Sequence, residues 1–290
     1  MPSETNTFVR KLAHNDASVR NAAFKALCNY LKSKSSAKLD LLELEKLWRG
    51  LYFSMWYCDK PIPQQNLAGH LGELFSKVVP DNKLKLFHQA FWEVMAKEWY
   101  SIDKWRIDKF YMLVRRVLRH QLFRLEAQGF PKKETADFLD ILKQYPLKND
   151  TKFPQSLAYH VCDIYLDEIE YVIFKDFRDY SQEDDVEDEE EGSSSDDEKE
   201  EDSSNEDENK EEKPEKAELS EEEIEAKKAA ICAKTPLATL VEPFQELEKS
   251  AKNKAMRAKC KEEVTEDERL KKWGVLEDKT EESEDEWTGF

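Results

Sequence analysis

The residues best equipped to do chemistry lie in one run, Asp103-Lys-Trp-Arg-Ile-Asp-Lys-Phe-Tyr-Met-Leu-Val-Arg-Arg-Val-Leu-Arg-His. On a helix of about 3.6 residues per turn it divides into two faces. Ile107, Phe110, Tyr111, Val114, Val117 and Leu118 form the apolar one. Arg106, Lys109, Arg116, Arg119, His120 and Arg124 form the opposite one, with Arg115 at the border and Lys104 just before it. Guanidinium groups grip phosphate oxygens in pairs and ammonium groups act as point charges, so the chemistry on offer is binding of a phosphate backbone. Lys104, Arg106, Lys109, Arg115, Arg116 and Arg119 are the candidate RNA contacts. The competing reading is a solvated helix face with Asp103 and Asp108 as local ion-pair partners.

The tryptophans and tyrosines, Trp48, Tyr52, Trp56, Trp92, Trp99 and Trp105, could stack on unpaired bases. Their helical spacing favours core packing, and a partner-docking surface is the second reading. No motif supports catalysis. The chain holds no Gly-rich phosphate loop, no Gly-x-Ser-x-Gly and no His-Glu-x-x-His. His14, His70, His88, His120 and His160 stand apart from one another, so no metal site and no cofactor are expected. The five cysteines are widely spaced with no Cys-x-x-Cys, the pattern of buried thiols in a reducing compartment. Ser193, Ser194, Ser195, Ser203 and Ser204 lie among acidic residues, the context an acidophilic kinase prefers.

These residues sit in a chain of two unlike parts. Residues 1–180 carry 28 Lys and Arg against 23 Asp and Glu, whereas residues 181–290 carry 17 against 40. The first part is long enough for one solid core. Gln182–Lys216 holds 20 acidic residues and four lysines and cannot form one, so it reads as a disordered linker. Seven glycines in 290 residues leave almost no hairpin punctuation, which argues for helices joined by short turns. Met1–Arg10 lacks the basic-then-apolar pattern of a leader, and no run of about 18 apolar residues is present, so no membrane span is expected.

Apolar periodicity predicts helices over Ser3–His14, a capped segment starting at Asn15 or Asp16, Leu39–Cys58, Gln64–Val79, Leu84–Tyr100, Ile102–Ala127, Glu134–Gln144 and Pro154–Phe177. Asp59-Lys60-Pro61-Ile62-Pro63 is expected to break the pattern. The string Asp16-x-x-Val-Arg-x-x-Ala-x-x-Ala-Leu looks like the second helix of a HEAT repeat, and helix pairs recur roughly every 40 residues. The expected fold is all-α, a HEAT- or armadillo-like solenoid of about eight helices. Past the acidic linker, Ser220-Glu-Glu-Glu reads as a capping box. Leu237, Leu240, Val241, Phe244 and Leu247 then form an apolar stripe that needs a surface to cover it. The expected organisation is a repeat domain over 1–180, a linker over 181–219, a helical segment over 220–277 that packs on the repeat domain or on a partner, and an acidic tail over 278–290.

Two motifs carry a resemblance. The first is Leu47-Trp-Arg-Gly-Leu-Tyr-Phe-Ser-Met-Trp-Tyr-Cys-Asp-Lys-Pro, followed by Gln64-Gln65-x-Leu67-Ala68. The second is Phe91-Trp-Glu-x5-Glu-Trp-x-x-Ile-Asp-Lys-Trp-Arg-Ile-Asp-Lys-Phe-Tyr-x-Leu-x-Arg-Arg. Together they closely resemble the ribosomal RNA-processing protein 1 family of eukaryotic nucleolar proteins, over roughly Phe8–Phe177 and again from Thr235. The resemblance implies a non-enzymatic helical scaffold of pre-ribosomal particles in the nucleus and nucleolus, needed for rRNA processing and large-subunit biogenesis. The implied partners are pre-ribosomal RNA, other assembly factors and ribosomal proteins, with no membrane and no small-molecule substrate. It brings no catalytic residues. The motif positions themselves, Trp48, Gly50, Trp56, Asp59, Pro61, Trp99, Asp103, Arg106, Asp108 and Lys109, are candidates for partner binding or for structure. An acidic chaperone for histones or other basic proteins is the alternative, motivated by the Gln182–Lys216 tract.

Overall fold

The computed structural model describes residues 10–12, 14–33, 39–150, 153–178 and 220–276. Every regular element among them is helical. Helix α1 (Ala17–Lys32) starts where the Asp16 carboxylate accepts the Ser18 N–H at 2.8 Å, and α2 (Leu41–Tyr57) where Asp40 accepts the Glu43 N–H at 2.9 Å. Helix α3 spans Pro61–Glu73 and widens into a turn over Leu74–Val78. The chain continues through α4 (Asp81–Glu98), α5 (Ile107–Ala127), α6 (Lys132–Gln144) and α7 (Gln155–Ile173). Between α5 and α6, Gly129 (φ 72°) and Phe130 (φ 53°) both turn left-handed, which stops α5. The capping box forms as its residues suggest. Ser220 and Glu223 satisfy each other's backbone N–H groups and open α8 (Glu221–Lys234). Then come α9 (Leu237–Ser250), α10 (Lys254–Cys260) with a wide turn over Lys261–Thr265, and α11 (Glu268–Lys272).

The main helix–helix contacts join helices two apart in the chain, the mark of a two-layer solenoid. One layer stacks α2, α4, α6 and α9; the other stacks α1, α3, α5, α7 and α10. The core between them is rich in rings. Trp48 is buried and donates its indole N–H to the Phe87 carbonyl at 3.1 Å, with Phe75, Phe87 and Phe91 around it. Helices α9 and α10 carry both layers one step further. Leu237, Leu240, Val241, Phe244 and Leu247 are all buried, the Tyr165 hydroxyl donates to the Leu240 carbonyl at 2.7 Å, and the Tyr165 and Phe244 rings meet at 4.4 Å. The five cysteines are free thiols, with Cys162 and Cys260 facing each other at 3.9 Å across α7 and α10. Among the described residues no helix is long and apolar enough to cross a membrane.

Two helix starts differ from expectation. The helical pattern breaks over Cys58–Lys60 as expected, but the next helix restarts at Pro61 rather than Gln64, because Pro61 and Pro63 fit its first turn, where a missing N–H costs nothing. The long helix begins at Ile107 rather than Ile102, because the Asp103 carboxylate accepts the Trp105 N–H and ties the preceding residues into a turn. The helix expected over Ser3–His14 is described only at Arg10–Leu12. The acidic linker, the five candidate phosphorylation serines (Ser193, Ser194, Ser195, Ser203 and Ser204) and the 278–290 tail lie outside the described residues.

Candidate nucleic-acid interface

Helix α5 lies between α3 and α7 in its layer, so its two flanks are covered and its charged side chains meet three environments. The first is internal. Lys109 is 5% exposed and donates from Nζ to the Trp56 carbonyl at 2.7 Å, the Cys58 carbonyl at 2.9 Å and Asp59 at 3.2 Å. It thus satisfies the carbonyls at the end of α2, and burial pushes its pKa down. Arg119 is also 5% exposed and holds the Glu168 carboxylate from Nε at 2.6 Å. Its guanidinium also lies 3.5 Å from the Tyr171 ring centroid. The expectation that Lys109 and Arg119 face away from the core is therefore corrected. A helix with neighbours on both flanks has too little free circumference for an all-solvent cationic face. Arg115, at the border, reaches Glu168 and Asp167 on α7. Arg124 spends its guanidinium on the Phe75 and Val79 carbonyls, at 2.6 and 2.7 Å, and on Asp81.

The second environment is a groove of about 560 Å3 running between α3 and α5. Its walls carry Lys77 from the wide turn that ends α3, Arg116, His120 and Arg124 from α5, and Lys175 beyond α7, against the carboxylates Glu73 and Glu126. The helices approach closely here because of Gly72. A Cβ at that position would stand 2.9 Å from the Arg116 carbonyl and strike the His120 ring. His120 bonds Ser76 at 2.9 Å, and burial together with Lys77, Arg119 and Arg116 pushes its pKa down to about 3. The imidazole is neutral, so the positive potential of the groove comes from Lys and Arg alone. Lys77 is 68% exposed and pairs with Glu73, an exchangeable surface contact worth about 1 kcal/mol or less. Lys77 and Lys175 were not among the sequence candidates, since nothing local shows that they face Arg116.

The third environment is the edge where the α2–α3 and α4–α5 turns meet. Tyr57, Ile62, Tyr100 and Trp105 are exposed there, Trp105 at 82%. Lys104 lies 4.7 Å over the Trp105 ring, and Arg106 lies 4.9 Å over Trp56 while pairing with Asp103. Asp59 and Asp103 stand in the same turns as Lys60, Lys104 and Arg106, and Asp108 follows in the first turn of α5, so the edge has little net charge. The motif residues divide accordingly. Trp48 and Trp99 are core, with the Trp99 indole on Ser156 at 2.9 Å. Pro61 starts α3, Asp59 and Asp103 fix the two turns, and Asp108 is exposed in the first turn of α5.

Comparison with known proteins gives these surfaces a setting. The chain is 36% identical over 168 residues to the human ribosomal RNA processing protein 1 homolog B, covering 57% of this chain and 22% of that protein. It is 32% identical over 163 residues to the mouse homolog A, covering 55% and 33%. It is 31% identical over 164 residues to the Caenorhabditis elegans homolog, covering 56% and 41%. The chain thus spans well under half the length of these relatives. The family model described as nucleolar protein Nop52 matches residues 3–289. The chain belongs to this Nop52 family and is, as its two Trp-rich motifs implied, a protein of the nucleolus.

Proposed function

We propose that this chain is a non-catalytic scaffold of nucleolar pre-ribosomal particles, acting in rRNA processing and large-subunit assembly. It holds precursor rRNA along the α3–α5 groove and other assembly factors or ribosomal proteins along the Tyr57–Tyr100–Trp105 edge. The relatives are named for processing of ribosomal RNA, which supports the process. The observation that carries the RNA contact is the groove, where Lys77, Arg116 and Lys175 line one concave surface. A phosphate backbone can displace the weak surface pairing of Lys77, whereas the internal cations Lys109 and Arg119 are committed to the fold. The balanced charge and exposed rings of the edge suit a protein surface better than a polyanion. Lys104 and Arg106 are therefore assigned to protein contact.

The test is the double substitution Lys77→Glu with Arg116→Glu. Association with pre-ribosomal RNA is expected to weaken, and its salt dependence to flatten by about one unit of log–log slope per lost phosphate contact. Unchanged salt dependence would refute the groove as the RNA contact. A chaperone of basic proteins is the second reading, favoured by the 20 acidic residues of Gln182–Lys216. Affinity purification that recovers histones without pre-ribosomal particles would establish it instead.

A further inference from the structure

A second cavity, of about 240 Å3, opens among α4, α5 and α6, and the scaffold reading gives it no role. Leu84, Leu125 and Phe138 give it apolar walls, with His88 and Gln121 beside them. His88 is 2% exposed, and its Nε2 accepts the Trp92 indole N–H at 2.6 Å, which leaves the ring proton on Nδ1. Gln121 is 4% exposed, and its amide nitrogen has no acceptor among the described residues. A buried donor left unpaired is costly, so a group that supplies an acceptor gains that energy on entry. The mouth carries Asp81, Glu134 and Asp137 against Lys85, Arg124 and Lys133, a neutral balance that does not select a phosphate. Pockets for drug-sized ligands run from about 300 Å3 upward. This smaller volume suits a single side chain with its peptide unit.

We propose that the cavity receives a leucine-sized side chain from a partner protein, with the adjoining peptide carbonyl accepting a hydrogen bond from Gln121. The apolar walls select the side chain and the unpaired amide selects the peptide unit.

The full chain, labelled with 15N at glutamine, is titrated with N-acetyl-leucine-N-methylamide and followed by NMR. The Gln121 side-chain signal is identified by its absence from a Gln121→Met variant. A saturable shift of that signal is expected, and the glycine analogue should bind at least tenfold more weakly. Affinity for the leucine probe, read from backbone signals, should fall at least tenfold in Gln121→Met. It should fall as far in Leu84→Trp, which fills the cavity from its partly exposed rim and keeps the amide. Equal melting temperatures show that both variants fold. No saturable shift in the unaltered chain overturns the proposal, and so does binding that survives both substitutions.

Discussion

Arg119 and Glu168, 49 residues apart in the chain, form a buried ion pair that clamps α5 to α7. Nε of Arg119 donates to the carboxylate at 2.6 Å and Nη2 donates to its other oxygen at 3.2 Å, while Glu168 has no exposed surface. Arg115 approaches the same carboxylate from the solvent side. Removing Arg119 takes away the inner partner of a fully buried carboxylate and leaves it only Arg115, whose side chain is 40% exposed. Arg119→Met is expected to cost about 3–5 kcal/mol in denaturant unfolding, and the Arg119→Met/Glu168→Met double variant distinctly less. Arg119→Lys should not restore stability, because the two-pronged geometry is lost. A cost below about 1 kcal/mol for Arg119→Met would show that the clamp is unimportant.

Burial also sets a pH dependence. Desolvation pushes both His88 and His120 from 6.5 down to about 3. In the unfolded chain they titrate near the ordinary value, so between pH 6.5 and 3 the unfolded state binds more protons. The stability held by the neutral rings is complete above pH 6.5 and is lost as pH falls toward 3, by about 1.4 kcal/mol per pH unit for each ring. Unfolding measured at pH 7.5, 6 and 5 should show this slope. The His88→Gln/His120→Gln variant, in which Gln can still accept the Trp92 N–H, should be flatter over the same range. Equal slopes would contradict the account.

Helix α9 is predicted to stabilise the repeats directly. Leu240 and Phe244 are fully buried, and Phe244 packs on the Tyr165 ring. Cutting a buried Phe to Ala typically costs about 3–5 kcal/mol, and Asp adds an unpaired charge. Leu240→Asp with Phe244→Asp should therefore lower the melting temperature of the isolated chain, as read by circular dichroism. An unchanged melting temperature would mean that the stripe is covered by a partner instead.

Sequence reading reached the helices because their signals are local. The apolar run Leu47–Tyr57, the capping box at Ser220 and the stripe Leu237–Leu247 each announce an element within a few residues. The HEAT-like spacing and the small-residue string after Asp16 gave the solenoid. The exposed cationic surface was less legible, because exposure in a layered fold is decided by neighbours far along the chain. Helical periodicity put Arg119 opposite Phe110. It could not show that Glu168 and Tyr171 of α7 close over Arg119, nor that the Trp56 and Cys58 carbonyls take Lys109 inward. Lys77 went unnoticed for the same reason, since only the close approach allowed at Gly72 brings α3 alongside Arg116.

Ultraviolet cross-linking of RNA to the protein within purified pre-ribosomal particles, with the linked peptides identified by mass spectrometry, decides whether the α3–α5 groove holds rRNA. Cross-linked peptides are expected from the groove walls, Gln65–Lys77 of α3 and its wide turn and Arg116–Gln128 at the end of α5. Cross-links confined to other parts of the chain, with both groove walls unmodified, would contradict the groove as the RNA contact.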